Sequence, residues 1–110
     1  MEVFAIIKMN NISILIISSL ISGEGGNMNV KPSFAGVVTE VITPFRENGV
    51  LDEGLLREET EFQVKCGIHG LFTNGLASEC LSMSVEEKEN VTRIVCSQVQ
   101  GRIPVMANIT

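Results

Sequence analysis

The chain contains no tryptophan, no tyrosine and a single histidine, His69. Its 110 residues include 13 acidic and 8 basic side chains, which gives a formal net charge of −5. A nucleic-acid-binding surface needs a basic patch, and it commonly carries aromatic side chains on which bases stack. The composition therefore predicts that no nucleic acid is a partner of this chain.

Cysteines are also scarce, and their spacing does not suit a metal site. The three cysteines, Cys66, Cys80 and Cys96, form no Cys-x-x-Cys pair. A structural zinc ion takes about four cysteine, histidine or carboxylate ligands. We therefore expect no metal and no disulfide, and reduced thiols indicate a cytoplasmic protein.

Long apolar runs are confined to the first 27 residues, where residues 12–22 consist of isoleucine, leucine and serine. Lys8 precedes this run, as in a secretory signal, but Lys8, Asn10 and Asn11 interrupt the roughly 20 apolar residues that a membrane span needs. Three interpretations stay open: a true start at Met28 with a purine-rich ribosome-binding site encoded just before it, a disordered or interfacial tail, and a real signal. We treat residues 1–27 as an N-terminal extension and residues 28–110 as the domain, with no membrane partner.

The domain alternates between strand and helix patterns. Residues 36–44 are rich in β-branched side chains and end at a proline, which predicts a strand. Asp52 is expected to cap a helix that Gly67 closes. The apolar positions of this helix are Leu55, Leu56, Phe62 and Val64.

A second strand is predicted over residues 68–74, followed by a loop of small residues. Ser84 and Glu87 have the spacing of a capping box, which predicts a helix start. Its apolar residues recur at helical spacing and end before Gly101; they are Val91, Ile94, Val95 and Val99. A third strand is predicted over residues 103–107.

This order predicts an α/β fold with right-handed crossovers and a parallel sheet. A strand spacing of about 32 residues is typical of the repeating unit of a (β/α)8 TIM barrel. Three strands cannot close a barrel, so we expect the N-terminal βαβαβ portion of an incomplete TIM barrel. Either the sheet stays open or the remaining strands are absent from the chain.

Five segments resemble, in order, the dihydrodipicolinate synthase / N-acetylneuraminate lyase family of class I pyruvate-dependent aldolases. They are residues 36–45 (GVVTEVITPF), 51–53 (LDE), 67–71 (GIHGL), 81–88 (LSMSVEEK) and 102–107 (RIPVMA). The resemblance implies that a lysine late in the barrel forms a Schiff base with pyruvate, whose enamine then condenses with an aldehyde such as aspartate semialdehyde, or is released from one. It implies no cofactor, small-molecule partners and a homo-tetramer.

Two alternatives remain beside the synthase. One is a 2-keto-3-deoxy sugar-acid or N-acetylneuraminate-type aldolase of the same family, and the other is a non-catalytic piece that needs a second chain. Lys65 and Lys88 are expected on helices, so neither suits the Schiff base, and the chain is expected to be truncated and inactive alone. His69 is expected in a surface turn, and Cys80 is expected to be a buried, inert thiol.

The resemblance also points to a substrate loop after the second strand. The family carries Gly-Thr/Ser-Thr-Gly-Glu there and holds the pyruvate carboxylate with main-chain N–H groups and hydroxyls. Gly75 and Glu79 match this motif, whereas Leu76 and Ala77 replace the hydroxyl residues and Ser78 replaces the second glycine. The resemblance implies substrate binding by residues 75–78, with Glu79 as an acceptor that fixes the loop.

Glu40 and Thr43 are further candidates for substrate contact, since they belong to the first strand segment. Glu40 stands where the family usually has a small residue or proline. If it faces the barrel mouth, its carboxylate can act on substrate; the alternative, which we favour, is that it points outward or pairs with a basic group.

Overall fold

The computed structural model describes residues 36–108 in full, and the backbone of residues 2–9 and 12–19. The strands are β1 Glu2–Met9, β2 Ile12–Ser19, β3 Val38–Glu40, β4 Gly70–Thr73 and β5 Val105–Asn108. The helices are α1 Glu53–Lys65 and α2 Val85–Val99, with a short 3-10 helix over Cys80–Ser82.

The strands form one sheet in the order β1-β2-β5-β4-β3. The pairs β3–β4 and β4–β5 are parallel, and α1 and α2 connect them in sequence. In the ladder, Glu40 pairs with Phe72 and Phe72 pairs with Met106. The predicted βαβαβ unit with a parallel sheet is therefore confirmed.

Helix α1 begins where the sequence predicts. The Asp52 side chain accepts a hydrogen bond from the Leu55 N–H at 3.0 Å. The helix ends at Lys65, with Cys66 as its cap, and Gly67 follows at a φ of +81°. Gly67 is thus one residue beyond the cap, in the left-handed position that glycine tolerates best.

Only some of the apolar positions of α1 reach the core. Leu56 is fully buried, whereas Leu55 is 51% and Phe62 63% exposed. Leu55 and Phe62 therefore lie on the exposed side of α1. Because one helix turn takes 3.6 residues, Leu55 and Leu56 project about 100° apart and only one of them can face the sheet.

Helix α2 confirms the capping box and the apolar face. The Glu87 N–H donates to the Ser84 hydroxyl at 3.1 Å, and the Ser84 N–H donates to the Glu87 carboxylate at 2.7 Å. The predicted apolar residues are all buried and pack with Leu56, Leu71 and Val105 in one core; they are Val91, Ile94, Val95 and Val99.

The first predicted strand is shorter than expected. Residues 36–44 were predicted to be one strand, but only Val38–Glu40 pairs as a strand and residues 41–44 are outside it. Pro44 has no N–H to donate to a ladder, and its carbonyl accepts from the Asp52 N–H at 2.9 Å. The chain therefore leaves the sheet to start α1.

Strands β1 and β2 pair antiparallel with each other, and β2 pairs antiparallel with β5, with Ile14 opposite Asn108. None of the three interpretations of residues 1–27 predicts this hairpin. Residues 24–28, on which the alternative start depends, lie outside the described part of the chain, so that interpretation stays a prediction. Among the helices that the structure describes, none has the length and apolar character that a membrane crossing requires.

Candidate functional site

The carboxyl ends of β3 and β4 bring the candidate residues together. Glu40 is the last residue of β3, and residues 74–79 form the loop that follows β4. In parallel α/β sheets and barrels, ligands bind at this end of the strands. His69 lies at the opposite end, before β4, where its Nδ1 accepts from the Val37 N–H at 2.9 Å. Its expected position in a turn away from the site is confirmed.

The loop begins at a residue anchored to α2. Asn74 is buried and has a φ of 59°. Its side-chain amide donates to the Lys88 carbonyl at 3.2 Å and to the Thr92 hydroxyl at 3.0 Å. Asparagine tolerates the left-handed region better than most residues, and these two bonds hold the start of the loop against the helix.

Hydrogen bonds within the loop make it a compact turn. The Gly75 carbonyl accepts from the Ser78 N–H at 3.2 Å and from the Cys80 N–H at 3.3 Å, and the Leu76 carbonyl accepts from the Glu79 N–H at 3.1 Å. Leu76 and Ala77 form the exposed tip. Within residues 36–108, no acceptor binds the N–H of Leu76 or of Ala77. Two donors at the tip are thus open to a ligand.

Glu40 closes the inner side of the loop. Its Oε1 accepts from the Ser78 N–H and lies 3.0 Å from both that nitrogen and the Ser78 hydroxyl oxygen. The same hydroxyl is in short contact with the Val41 carbonyl, and it has a single proton to donate. The expectation that Glu40 points outward or pairs with a basic group was wrong, because its carboxylate turns into the loop.

Gly75 is required by the approach of Glu40. A Cβ at this position would overlap the Glu40 carboxylate and would lie 2.6 Å from Cε1 of Phe72. Real Cβ atoms essentially never come that close to other heavy atoms. The glycine therefore makes room for the carboxylate.

The remaining predicted site residues behave differently from one another. Glu79 is exposed, has a φ of 60° and makes no side-chain cap bond, so Glu40 and not Glu79 is the carboxylate that fixes this loop. Thr43 is 4% exposed, and its hydroxyl has no partner within residues 36–108. Cys80 is a buried free thiol, as expected. Lys65 and Lys88 lie on α1 and α2, also as expected.

Two contacts at the site were missed by the sequence analysis. The departure of Glu40 from the family pattern was a signal, but nothing in the sequence pairs it with Ser78, 38 residues away. The hydrogen bond between Asn74 and Thr92 is equally hard to predict from the sequence, because it depends on how α2 packs. Within residues 36–108, no three histidine, cysteine or carboxylate side chains converge as metal ligands.

Comparison with known proteins supplies the family. Residues 33–110 match the model of the dihydrodipicolinate synthetase family. A 4-hydroxy-tetrahydrodipicolinate synthase of Nitratidesulfovibrio vulgaris (strain DP4) is 46% identical over 74 residues, covering 67% of this chain and 25% of the relative. The chain therefore spans about a quarter of the length of the curated relatives it matches.

Solved structures agree with this match. Dihydrodipicolinate synthase from Aquifex aeolicus superposes with a TM-score of 0.61 at 33% identity, over 64% of this chain and 24% of that one. N-acetylneuraminate lyase from Mycoplasma synoviae gives 0.59 at 30% identity, over 62% and 24%. These neighbours are TIM barrels, and the βαβαβ unit covers only part of that fold. The chain belongs to the dihydrodipicolinate synthetase family, whose characterised members are lyases.

Proposed function

We propose that this chain contributes the first three barrel strands, the two helices that connect them and the carboxylate-binding loop of a Schiff-base aldolase that acts on pyruvate and an aldehyde. The observation that carries the proposal is the position of residues 74–79. The loop lies at the carboxyl end of β4, and the N–H groups of Leu76 and Ala77 are open at its tip. Main-chain donors in a tight turn are a suitable site for a carboxylate.

The Schiff-base lysine is proposed to come from outside residues 36–108. The lysines in this range, Lys65 and Lys88, lie on helices that flank the sheet and not at a strand end. A lysine amine must reach the ketone carbon of pyruvate to form the imine. We therefore propose that residues 36–108 bind and orient the substrate but do not form the covalent bond, and that the chain is inactive alone.

The aldehyde is the less defined half of the reaction. Relatives named as 4-hydroxy-tetrahydrodipicolinate synthases support aspartate semialdehyde, and the neighbour named as an N-acetylneuraminate lyase supports a sugar acid. Leu76 and Ala77 lack the hydroxyls that the family pattern places in the loop. The family resemblance implies that one of those hydroxyls joins a proton relay with tyrosines, and Leu76 offers no substitute for it, so we propose the sugar-acid aldolases as the second candidate beside the synthase. A cytoplasmic homo-tetramer is proposed for either.

A chimera tests the proposal. Residues 36–108 replace the matching segment of the 4-hydroxy-tetrahydrodipicolinate synthase of Nitratidesulfovibrio vulgaris, which supplies the other three quarters of the barrel. Incubation with pyruvate and borohydride should give a reduced pyruvate adduct, detected by intact mass. The parent enzyme is the positive control. A chimera with a native circular dichroism spectrum and no adduct would contradict the proposal.

A further inference from the structure

The loop of residues 75–79 already binds one carboxylate, the side chain of Glu40. Oε1 of Glu40 lies 3.0 Å from the Ser78 nitrogen and 3.0 Å from the Ser78 hydroxyl oxygen. A backbone N–H bound to an ionised oxygen is a charge-assisted hydrogen bond, which is shorter and stronger than a neutral one. Glu40 shares the Ser78 N–H with the Gly75 carbonyl, which lies 3.2 Å from the same nitrogen, and it places a carboxylate against the inner side of the loop.

The surroundings of this carboxylate make its position specific. The Ser78 side chain is fully buried, so its hydroxyl cannot turn toward solvent. On the other side, the space taken by the Glu40 carboxylate is available only because residue 75 is a glycine. The loop and the carboxylate therefore fit each other closely.

The charge of Glu40 is not cancelled nearby. Within residues 36–108 the ion pairs join Arg46 to Asp52, Arg57 to Glu53 and Arg102 to Glu61, and none includes Glu40. A second carboxylate arriving at the N–H groups of the loop tip would meet a like charge one residue away. Like charges repel strongly where protein partly replaces water.

We infer that Glu40 is an internal competitor for the carboxylate of a 2-oxo acid at the 75–79 loop, and that it thereby lowers the affinity of the site. The nature of the ligand rests on the proposed function, whereas the competition is a property of the loop. Truncating Glu40 removes this carboxylate from the loop and leaves the Ser78 N–H bound to the Gly75 carbonyl alone, whereas truncating an exposed carboxylate elsewhere leaves both contacts in place.

The test is a titration of the ¹⁵N-labelled 110-residue chain with sodium pyruvate, followed at the Ser78 amide. Glu40→Ala removes the competitor, Glu40→Gln keeps the side chain in place without its charge, and Glu58→Ala is a matched control on the exposed face of α1. Because a hydrogen bond to a charged group contributes about 1.5–3 kcal/mol, Glu40→Ala should bind pyruvate about ten-fold more tightly or better. Glu40→Gln should gain less, and Glu58→Ala should match the wild type.

A ligand-free measurement protects the test against misfolding. In the wild type, amide exchange at Ser78 should be slower than in Glu40→Ala, while the amides of α2 exchange alike in both. Equal pyruvate affinity in the wild type and Glu40→Ala, or equal gains for Ala and Gln, would overturn the inference.

Acetate separates the inference from the proposed function. If Glu40→Ala binds acetate as well as pyruvate, the competition stands and selectivity for a 2-oxo acid fails. If the wild type already binds pyruvate at Ser78 as tightly as Glu40→Ala, the proposed function stands and the competition fails.

Discussion

Arg102, in the turn before β5, donates two hydrogen bonds to the carboxylate of Glu61 on α1. Its Nη1 lies 3.1 Å from Oε1, and its Nη2 lies 2.6 Å from Oε2. The Gln98 side chain on α2 donates to the same carboxylate at 2.9 Å. This arrangement ties α1, the end of α2 and the entry to β5 together on the side of the sheet where the helices pack.

Stability should fall in acid because of this carboxylate. The hydrogen bonds from Arg102 and Gln98 lower the pKa of Glu61 from 4.5 to about 2. Between these two values the unfolded chain binds more protons than the folded chain, so stability is fully present above pH 4.5 and is lost as the pH falls toward 2. Thermal melting from pH 7 to pH 2.5 should therefore show a smaller acid-induced drop in Tm for Glu61→Gln than for the wild type.

Glu58→Gln is the control for this experiment, since Glu58 is an exposed glutamate on the same helix. The pair at Glu61 is itself partly exposed, so salt should weaken the effect. An identical pH dependence in Glu61→Gln and the wild type would contradict the assigned role.

Two adjacent leucines give a stability test of the fold. Leu56 is fully buried in the core, so Leu56→Ala should lower the free energy of unfolding by about 2–5 kcal/mol. Leu55 is 51% exposed, and Leu55→Ala should change the free energy of unfolding by about 0.5 kcal/mol or less. Urea unfolding followed by circular dichroism measures both. An equal loss of unfolding free energy in the two variants would contradict the burial of Leu56 and the exposure of Leu55.

Asn74 offers a way to loosen the loop without touching its donors. Asn74→Gly removes the side-chain bonds to Lys88 and Thr92 but tolerates the left-handed backbone. Asn74→Ala removes the same bonds and also strains the left-handed backbone. We expect Asn74→Ala to be less stable than Asn74→Gly by about 1–2 kcal/mol, the cost of the left-handed region for a residue with a Cβ. Urea unfolding compares the two, and equal stability would contradict the backbone argument.

Restoring the missing hydroxyls should strengthen carboxylate binding. Leu76→Thr with Ala77→Thr, introduced into the chimera, places hydroxyls beside the open N–H groups. Each new bond to a charged oxygen is worth about 1.5–3 kcal/mol, so pyruvate should saturate the adduct-forming reaction at about ten-fold lower concentration or less. Leu81→Thr, at a residue 87% exposed outside the loop, should change nothing.

The helices were predictable because short-range capping contacts determine where each helix starts. Asp52 and Ser84 each cap a helix through atoms three residues away, and short-range contacts of this kind can be read from the sequence. The length of β3 could not be read in the same way. Past Glu40 the Val41 N–H still donates to the Phe72 carbonyl at 2.8 Å, and the Pro44 carbonyl then accepts from the Asp52 N–H at the start of α1. Both contacts depend on how distant segments pack.

The sequence predicts which loop is the candidate site but not the hydrogen bonds that this loop makes. The loop after β4 could be placed from Gly75 and its neighbours, whereas the bond from Ser78 to Glu40 requires the register of β3 against β4. The hairpin of β1 and β2 was missed for another reason. Two mostly apolar segments of eight residues flank Asn10 and Asn11, which is a pattern that also suits a hairpin. The interpretation as a signal considers only the apolar run of residues 12–22.

A crystal structure of the chimera after reductive trapping with pyruvate tests the central claim most directly. We predict that the pyruvate carboxylate lies within hydrogen-bond distance of the Leu76 or Ala77 nitrogen, at the carboxyl end of β4. A trapped adduct whose carboxylate is bound elsewhere, with residues 75–79 making no contact to it, would contradict the claim that this loop is the carboxylate site.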